Sequence, residues 1–367
     1  MRRAGAGHPV VVVGTGIVGA SIAYHLARAG VPVTVIGRDA GVTASSFAWI
    51  GGDETGDWPG GAADLAGLVL PDWRRAEREV PGVSVRWCGS LRWPVPPEEA
   101  DRLAGPDEAA LPEVGGRLVG SGAVALLEPE LRIFPERAVH TPGDGGVDPV
   151  LAARAFLRAA RDAGARVVSG ATVVEVSAEG VASTVGFHPA STVVLAAGAG
   201  TAALARRALS MDTSARIDGD SPAGRAGEAL ARIGGVSPAL LVRVRARRAG
   251  LVRGIVSGPG FEVREVRERE LLMAASLGHG LAWGDLRDTA GRAVRQLRDA
   301  FGDGLELQGW RVGVRPMPAG GPVVGRLRPY LYVAVLHSGV CLAPSVGRLV
   351  ALEISSGVAV PELARCR

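Results

Sequence analysis

Val10-Val-Val-Val13, Gly14-Thr-Gly-Ile-Val-Gly19 and Val33-Thr-Val-Ile36 are the stretches that decide the fold. Four consecutive β-branched apolar residues mark a strand buried on both faces. Behind them, Ile17, Ser21, Tyr24 and Leu26 set among alanines predict a helix over 17–29, stopped by Gly30. With the second apolar run at 33–36 this is a strand–helix–strand unit beginning near residue 9, which implies parallel strands in a doubly wound sheet. Gly14, Gly16 and Gly19 have the G-x-G-x-x-G spacing at the position where it carries meaning. The first permits the tight turn, the second lets backbone approach a pyrophosphate, and the third lets helix and strand pack closely. The helix N-terminus adds the positive end of its dipole. The unit points to dinucleotide binding.

One part of that pattern is missing. Where the second strand ends, an acidic residue is expected at 37 to bond a ribose diol, but the chain reads Gly37-Arg38-Asp39. Two readings stay open: Arg38 meets a 2′-phosphate, which means NADP, or an FAD ribose is held by backbone with Asp39 or Arg38 assisting.

Further pieces of the sheet are predicted downstream: a helix over 150–163, strands over 166–169, 172–177 and 193–197, a strand over 331–335, and a helix over 344–354. Between them the pattern changes. Residues 240–247 alternate Leu and Val with arginine, placing Arg243, Arg245 and Arg247 on one strand face. Phe261-Glu-Val-Arg-Glu-Val266 also alternates, and 271–274 is apolar. These predict antiparallel strands with one wet face, inserted into the first architecture. Glycine- and proline-rich stretches at 51–61, 94–97, 105–122 and 216–225 read as crossings or surface loops.

Composition bounds the function classes. The 367 residues suit about two domains, with 47% apolar and 21% charged residues, a globular balance that excludes a disordered or fibrous protein. Aromatics are only 4%, so valine, leucine and alanine must fill the core. Cys88, Cys341 and Cys366 stand far apart with no CxxC pair and no Cys/His cluster, which argues against a disulfide framework or a metal site and fits a cytoplasmic protein. Arg2 and Arg3 ahead of the Val10 run imitate a signal peptide, but the glycines behind make that run the first strand. No stretch of 18 uninterrupted apolar residues predicts a membrane span. The pI near 9.5 comes from arginine alone, because the chain has no lysine, which excludes Schiff-base catalysis. Arg243, Arg245, Arg247 and Arg248 are followed by Glu262, Glu265, Glu268 and Glu270 with no interleaved aromatics. That reads as a solvated sheet face, with no nucleic-acid or membrane partner.

The remaining motifs carry a resemblance. The segment 14–36 with Ala44-Ser-Ser-Phe-Ala-Trp-Ile50, Leu127-Glu-Pro-Glu-Leu131, Gly146-Val-Asp-Pro149, Gly313-Val-Arg-Pro-Met-Pro318, Pro322-Val-Val-Gly325 and His337-Ser-Gly-Val-Cys-Leu-Ala-Pro344 is similar to the flavin-dependent D-amino-acid oxidase family, which includes glycine oxidase and sarcosine oxidase. The likeness is thin over roughly 55–125 and 205–300. It implies an α/β fold of the glutathione-reductase type. A Rossmann-like FAD-binding domain would be built from 8–55, 140–205 and 308–367, and a discontinuous substrate-binding domain on an antiparallel sheet from 56–139 and 206–307.

The resemblance also implies roles. FAD would be held by Gly14, Thr15, Gly16, Ile17, Val18 and Gly19, with Arg38 nearby, and by Ser45 and Ser46 passing the pyrophosphate. Val173 would touch the adenine by its backbone. Ala197 and Gly198 would close the nucleotide cleft, while Ser338, Gly339, Val340, Cys341 and Leu342 would wrap the pyrimidine edge of the flavin. Arg315, in Gly-x-Arg-Pro, would clamp the substrate carboxylate, for which a planar guanidinium fork is suited. His337 would face the substrate or flavin, or be satisfied by neighbouring backbone. Cys341 would be a packed small residue rather than a flavin attachment point, and Trp49 would either wall the cofactor or join the core. The lysine that sarcosine-oxidase-type enzymes use for dioxygen is lacking.

The implied activity is oxidation of a small amino acid or amine at its C–N bond by hydride transfer to FAD. Imine hydrolysis would follow, with reoxidation by dioxygen or another acceptor. Two rivals are an NADP-dependent reductase and a flavin-binding subunit of a larger dehydrogenase complex. A homo-oligomer is compatible with this reading.

Overall fold

The computed structural model describes residues 9–51, 58–103, 115–210, 222–277 and 285–367. Arg2 and Arg3, and parts of the loops expected at 51–61, 105–122 and 216–225, lie outside them. Two large sheets organise the chain. In the first, six strands run in the order Val323–Arg328, Leu331–Val335, Thr192–Leu195, Val10–Val13, Val33–Gly37 and Arg166–Ser169. All neighbours are parallel except the first pair. Val10–Val13 lies at the centre with every side chain buried, as four consecutive valines require. The next strand in the chain pairs on one side of it and Thr192–Leu195 on the other. The crevice at the carboxyl ends of these strands is therefore a topological switch point, where ligands bind in such sheets.

The second sheet has eight strands in the order Leu305–Pro316, Val236–Ala246, Glu270–Ser276, Phe261–Arg267, Ile255–Gly258, Ser90–Arg92, Arg137–Thr141 and Arg117–Gly120. It is antiparallel apart from the pairing of Ile255–Gly258 with Ser90–Arg92. Helix Leu286–Phe301 packs on it, burying Ala290, Val294, Leu297 and Phe301 in a core with Val242, Val244, Val263 and Met273. A small sheet of Trp49–Ile50, Gly145–Val147 and Val85–Trp87 joins the two halves.

Packing moves the domain boundaries read from sequence. Helices Gly61–Ala66 and Val69–Glu79 were expected in the substrate half, yet Leu65, Val69, Leu70 and Trp73 are buried in one core with helix Ile17–Arg28. The Trp73 indole donates to the Cys341 carbonyl at 2.9 Å. Helices Thr201–Ser210 and Pro222–Arg232 likewise set Ala205, Ala226 and Ala229 against the other face of the six-stranded sheet, so the substrate half resumes only at Val236. In the opposite sense, Leu305–Pro316 pairs with Val236–Ala246 along its whole length and carries the large sheet past residue 308. Strand Arg137–Thr141 does the same past residue 140.

Other expectations also shift. Strand Val173–Ser177 leaves the parallel sheet for a three-stranded meander with Gly180–Ser183 and Gly186–Pro189. The last helix runs over Gly339–Ser356 and contains Pro344, which the sequence suggested as its start. It is long and apolar enough to cross a membrane by composition, but it is packed against helix Ile17–Arg28 inside the fold. The wet-face reading holds for Arg243, which pairs with Glu270, and for Arg247 and Arg248, which pair with Glu130. It fails two strands over, where Arg264 is 2% exposed and Glu265 5% exposed.

Candidate active site

Gly14 adopts φ +127°, and a Cβ there would lie 2.3 Å from the Ala196 carbonyl oxygen. A Cβ at Gly19 would lie 2.0 Å from the Gly14 carbonyl oxygen, so the helix rests directly on the strand end. Gly19 thus shapes the cradle from beneath rather than lining it. Helix Ile17–Arg28 has no acidic residue in its first turn and no side-chain cap from Gly16. Its first N–H, from Ile17, donates instead to Thr43 Oγ1 at 3.1 Å. Thr43 was missed in the sequence. No motif marks it, and only the fold returns residue 43 to the glycine turn. Its hydroxyl also lies 3.0 Å from where a Gly16 Cβ would sit, a second reason for glycine there.

The missing acid at 37 has a steric explanation. A Cβ on Gly37 would lie 2.6 Å from Thr15 Oγ1 and 2.9 Å from Thr15 N. Thr15 fills that space and donates its hydroxyl to the Asp39 carbonyl at 2.6 Å. Asp39 in turn accepts from Gly41 N at 2.7 Å through Oδ1, and Arg38 is exposed at the rim.

These residues border a cleft of about 560 Å³. Of the predicted cofactor residues, Gly14, Thr15, Gly16, Ile17, Val18, Arg38, Ser46, Val173, Ala197, Gly198, Gly339 and Val340 line it, as do Arg315 and His337. A second pocket of about 310 Å³ continues from it and shares Ser46, Arg315, His337, Gly339 and Val340, while Ser45, Ser338 and Cys341 line this pocket alone. Leu342 does not reach either space: it is fully buried in the core beneath. Cys341 donates its thiol to the Gly51 carbonyl at 3.2 Å, and burial pushes that thiol up to about 12, so it stays protonated. The long cleft, the glycine turn packed tightly against Ala196 and Thr43, and the helix N-terminus beside it fit a dinucleotide extended toward the second pocket.

Arg315 lies where the two spaces meet. Its strand register places it opposite Ser237, whose hydroxyl is 3.4 Å from Nη2, a marginal contact. Its Nε is buried and has no acceptor among the described residues. His337 also lines both spaces. Burial and then the charge of Arg315 lower its pKa, which keeps the imidazole neutral at pH 7. Trp49 lines the second pocket and donates its indole to Asp144 Oδ2 at 2.8 Å, and Ser90 donates to the same oxygen at 2.7 Å.

Two further residues were missed. Glu262 forms part of the second pocket's wall. Arg264, two positions along the same strand face, donates from Nε to the Phe47 carbonyl at 2.7 Å and from Nη2 to the Val147 carbonyl at 2.6 Å, tying the 45–49 segment to the large sheet. Burial lowers its guanidinium only to about 10, so it remains charged. The Leu127–Leu131 motif is structural: buried Glu128 accepts from Arg253 N and Gly254 N, the latter at 2.5 Å. The Gly146–Pro149 motif supplies Asp148, which caps helix Pro149–Asp162 through Val150 N and Leu151 N.

A family model described as DAO, FAD dependent oxidoreductase, matches residues 9–352. Glycine oxidase of Bacillus licheniformis is 29% identical over 209 residues, which is 54% of this chain and 56% of that enzyme. The chain thus spans little more than half the length of the curated relative it matches. Among solved structures, glycine oxidase from Geobacillus kaustophilus superposes with a TM-score of 0.75 at 21% identity, covering 98% of each chain. L-proline dehydrogenase from P. horikoshii superposes with a TM-score of 0.73 at 20% identity, covering 97% of this chain and 96% of that one. At those identities the likeness establishes the shared two-domain fold.

Proposed function

The chain belongs to the DAO family of FAD-dependent oxidoreductases, and from that premise we propose that it oxidises a small amino acid or amine at its C–N bond. The observation that carries this reading is Arg315, a half-buried guanidinium at the junction of the two pockets whose inner Nε has no acceptor among the described residues. A substrate carboxylate satisfies that nitrogen and fixes the α-carbon toward the cofactor cleft, which is the positioning such a reaction needs. FAD, when bound, would supply the acceptor for the α-hydrogen and its electron pair, from a substrate whose ammonium has first lost a proton to water.

The chain's own residues bind, orient and keep out water. Gly14 to Val18 and the N-terminus of helix Ile17–Arg28 would hold the phosphates, with Gly339 and Val340 lining the same cleft. Neutral His337 leaves Arg315 as the fixed positive charge facing the substrate carboxylate. Trp49, Phe47, Leu241 and Ala274 surround the second pocket with apolar surface, which strengthens the Arg315–carboxylate interaction. The imine formed from the substrate hydrolyses in water, and dioxygen or another acceptor closes the cycle.

The test is anaerobic mixing of the holoenzyme with D-, L- and N-methyl amino acids while the visible flavin absorbance is followed. Bleaching by at least one member supports the reading. A flavin that stays yellow with the whole panel removes it.

A further inference from the structure

Glu262 carries a consequence for substrate choice. It pairs with Ala274, which pairs with Leu241, and all three line the second pocket, so one face of three adjacent strands forms its wall. Arg315 is on that face too: its register partner, Ser237, precedes Leu241 by four residues, an even number that keeps side chains on one side of a strand. Glu262 and Arg315 make no ion pair within 4 Å, yet each lies in the other's field. The other carboxylate of the pocket, Asp144, receives the Trp49 indole and the Ser90 hydroxyl. Glu262 receives no protein donor among the described residues, although it is half-buried in a largely apolar wall. A carboxylate removed from water in this way is costly unless a cation meets it.

We propose that Glu262 receives the cationic nitrogen of a zwitterionic substrate whose carboxylate is held by Arg315. The pocket then presents two opposite charges, Glu262 and Arg315, from one face of the large sheet. It selects amino acids over acids lacking nitrogen and over amines lacking a carboxylate. Burial raises the Glu262 pKa while Arg315 opposes that rise, consistent with a carboxylate that gains a positive partner only when the ligand arrives.

The inference rests on the assignment of Arg315 to the substrate carboxylate, and the experiment separates the two. The probes are N,N,N-trimethylglycine and 3,3-dimethylbutyrate, which share shape and carboxylate and differ by one positive charge. Both are titrated against FAD-loaded protein and read by perturbation of the visible flavin spectrum, with no turnover required. Wild type is expected to bind the zwitterion about tenfold or more tightly than its neutral counterpart, as a close charge pair requires. Glu262→Gln, and Glu262→Ala beside it, should erase the preference while holding dimethylbutyrate as tightly as before or better. No preference in wild type, a preference that survives in either variant, or failure of both probes to bind flavin-loaded wild type overturns the role of Glu262. Arg315→Ala should weaken both probes together. Dimethylbutyrate bound undiminished in that variant overturns the carboxylate clamp instead.

Discussion

Arg264 reaches the carbonyl oxygen of Phe47, 217 positions earlier in the chain, with its Nε at 2.7 Å. The bond links the central part of the large sheet to the segment that passes between the two pockets, and a second bond to Val147 fixes the neighbouring small sheet.

Arg264→Met keeps much of the volume and removes both donors. The buried Val147 carbonyl and the part-buried Phe47 carbonyl then lose their partners, at about 1–3 kcal/mol each. Denaturant unfolding should show a loss of about 2–6 kcal/mol, and FAD should dissociate more readily because Phe47 is no longer anchored. A variant with wild-type stability and wild-type FAD affinity would remove Arg264 from this role.

Gly37→Ala places a methyl against Thr15 Oγ1 and N, where 2.6 and 2.9 Å leave no room. Overpacking of this kind costs about 1–3 kcal/mol. Thr15→Ala in the same chain should recover part of the loss, since it removes the hydroxyl the new methyl meets. A double-mutant cycle in thermal unfolding measures the coupling, and additive losses would show that the two positions do not compete for this space.

Arg315→Ala should leave the yellow holoenzyme intact, because the phosphate cradle is built elsewhere. It should raise KM for carboxylate substrates by at least about thirtyfold, the range for truncating one partner of a buried charge pair. Arg315→Lys should recover only part of this, because an ammonium lacks the planar fork. Steady-state kinetics at saturating acceptor decide the matter, with unchanged KM in both variants as the adverse result.

His25 gives the fold a pH dependence. Burial is the main cause that lowers its pKa from 6.5 to about 4, with Arg348, Arg28 and Arg75 adding to it and Asp72 opposing. Between those values the unfolded chain takes up a proton that the folded chain refuses, so stability rises from pH 4 to 6.5 and is lost as pH falls through that window. A shift of this size corresponds to at most about 3 kcal/mol. His25→Gln should lose less stability than wild type between pH 7 and pH 4.5 in denaturant unfolding. Parallel losses in the two proteins would assign the acid sensitivity to other groups.

Much of the nucleotide half was legible because its signals are local. Four valines, three spaced glycines and a second apolar run fix a strand, a turn and a helix within thirty residues, and Gly14 and Gly19 stand in the contacts their spacing implied. Arg315 was singled out by its motif, and the structure adds a buried Nε with no acceptor among the described residues. The role of Leu342 was misjudged for the complementary reason. The residues after Ser338 were read as loop, but they already form helix, and a helical turn directs residue 342 into the core.

The chain's own pattern determined that a parallel sheet with a glycine turn at the end of its central strand would form, because backbone freedom and β-branching act over a few residues. Tertiary structure alone decided which polar residues would face the site. Phe261–Arg267 alternates like any strand with one wet face, and nothing within it says that the 45–49 segment will cover that face. Once covered, Arg264 becomes a buried tether and Glu262 a charge in search of a partner, because losing water changes what a charged side chain requires.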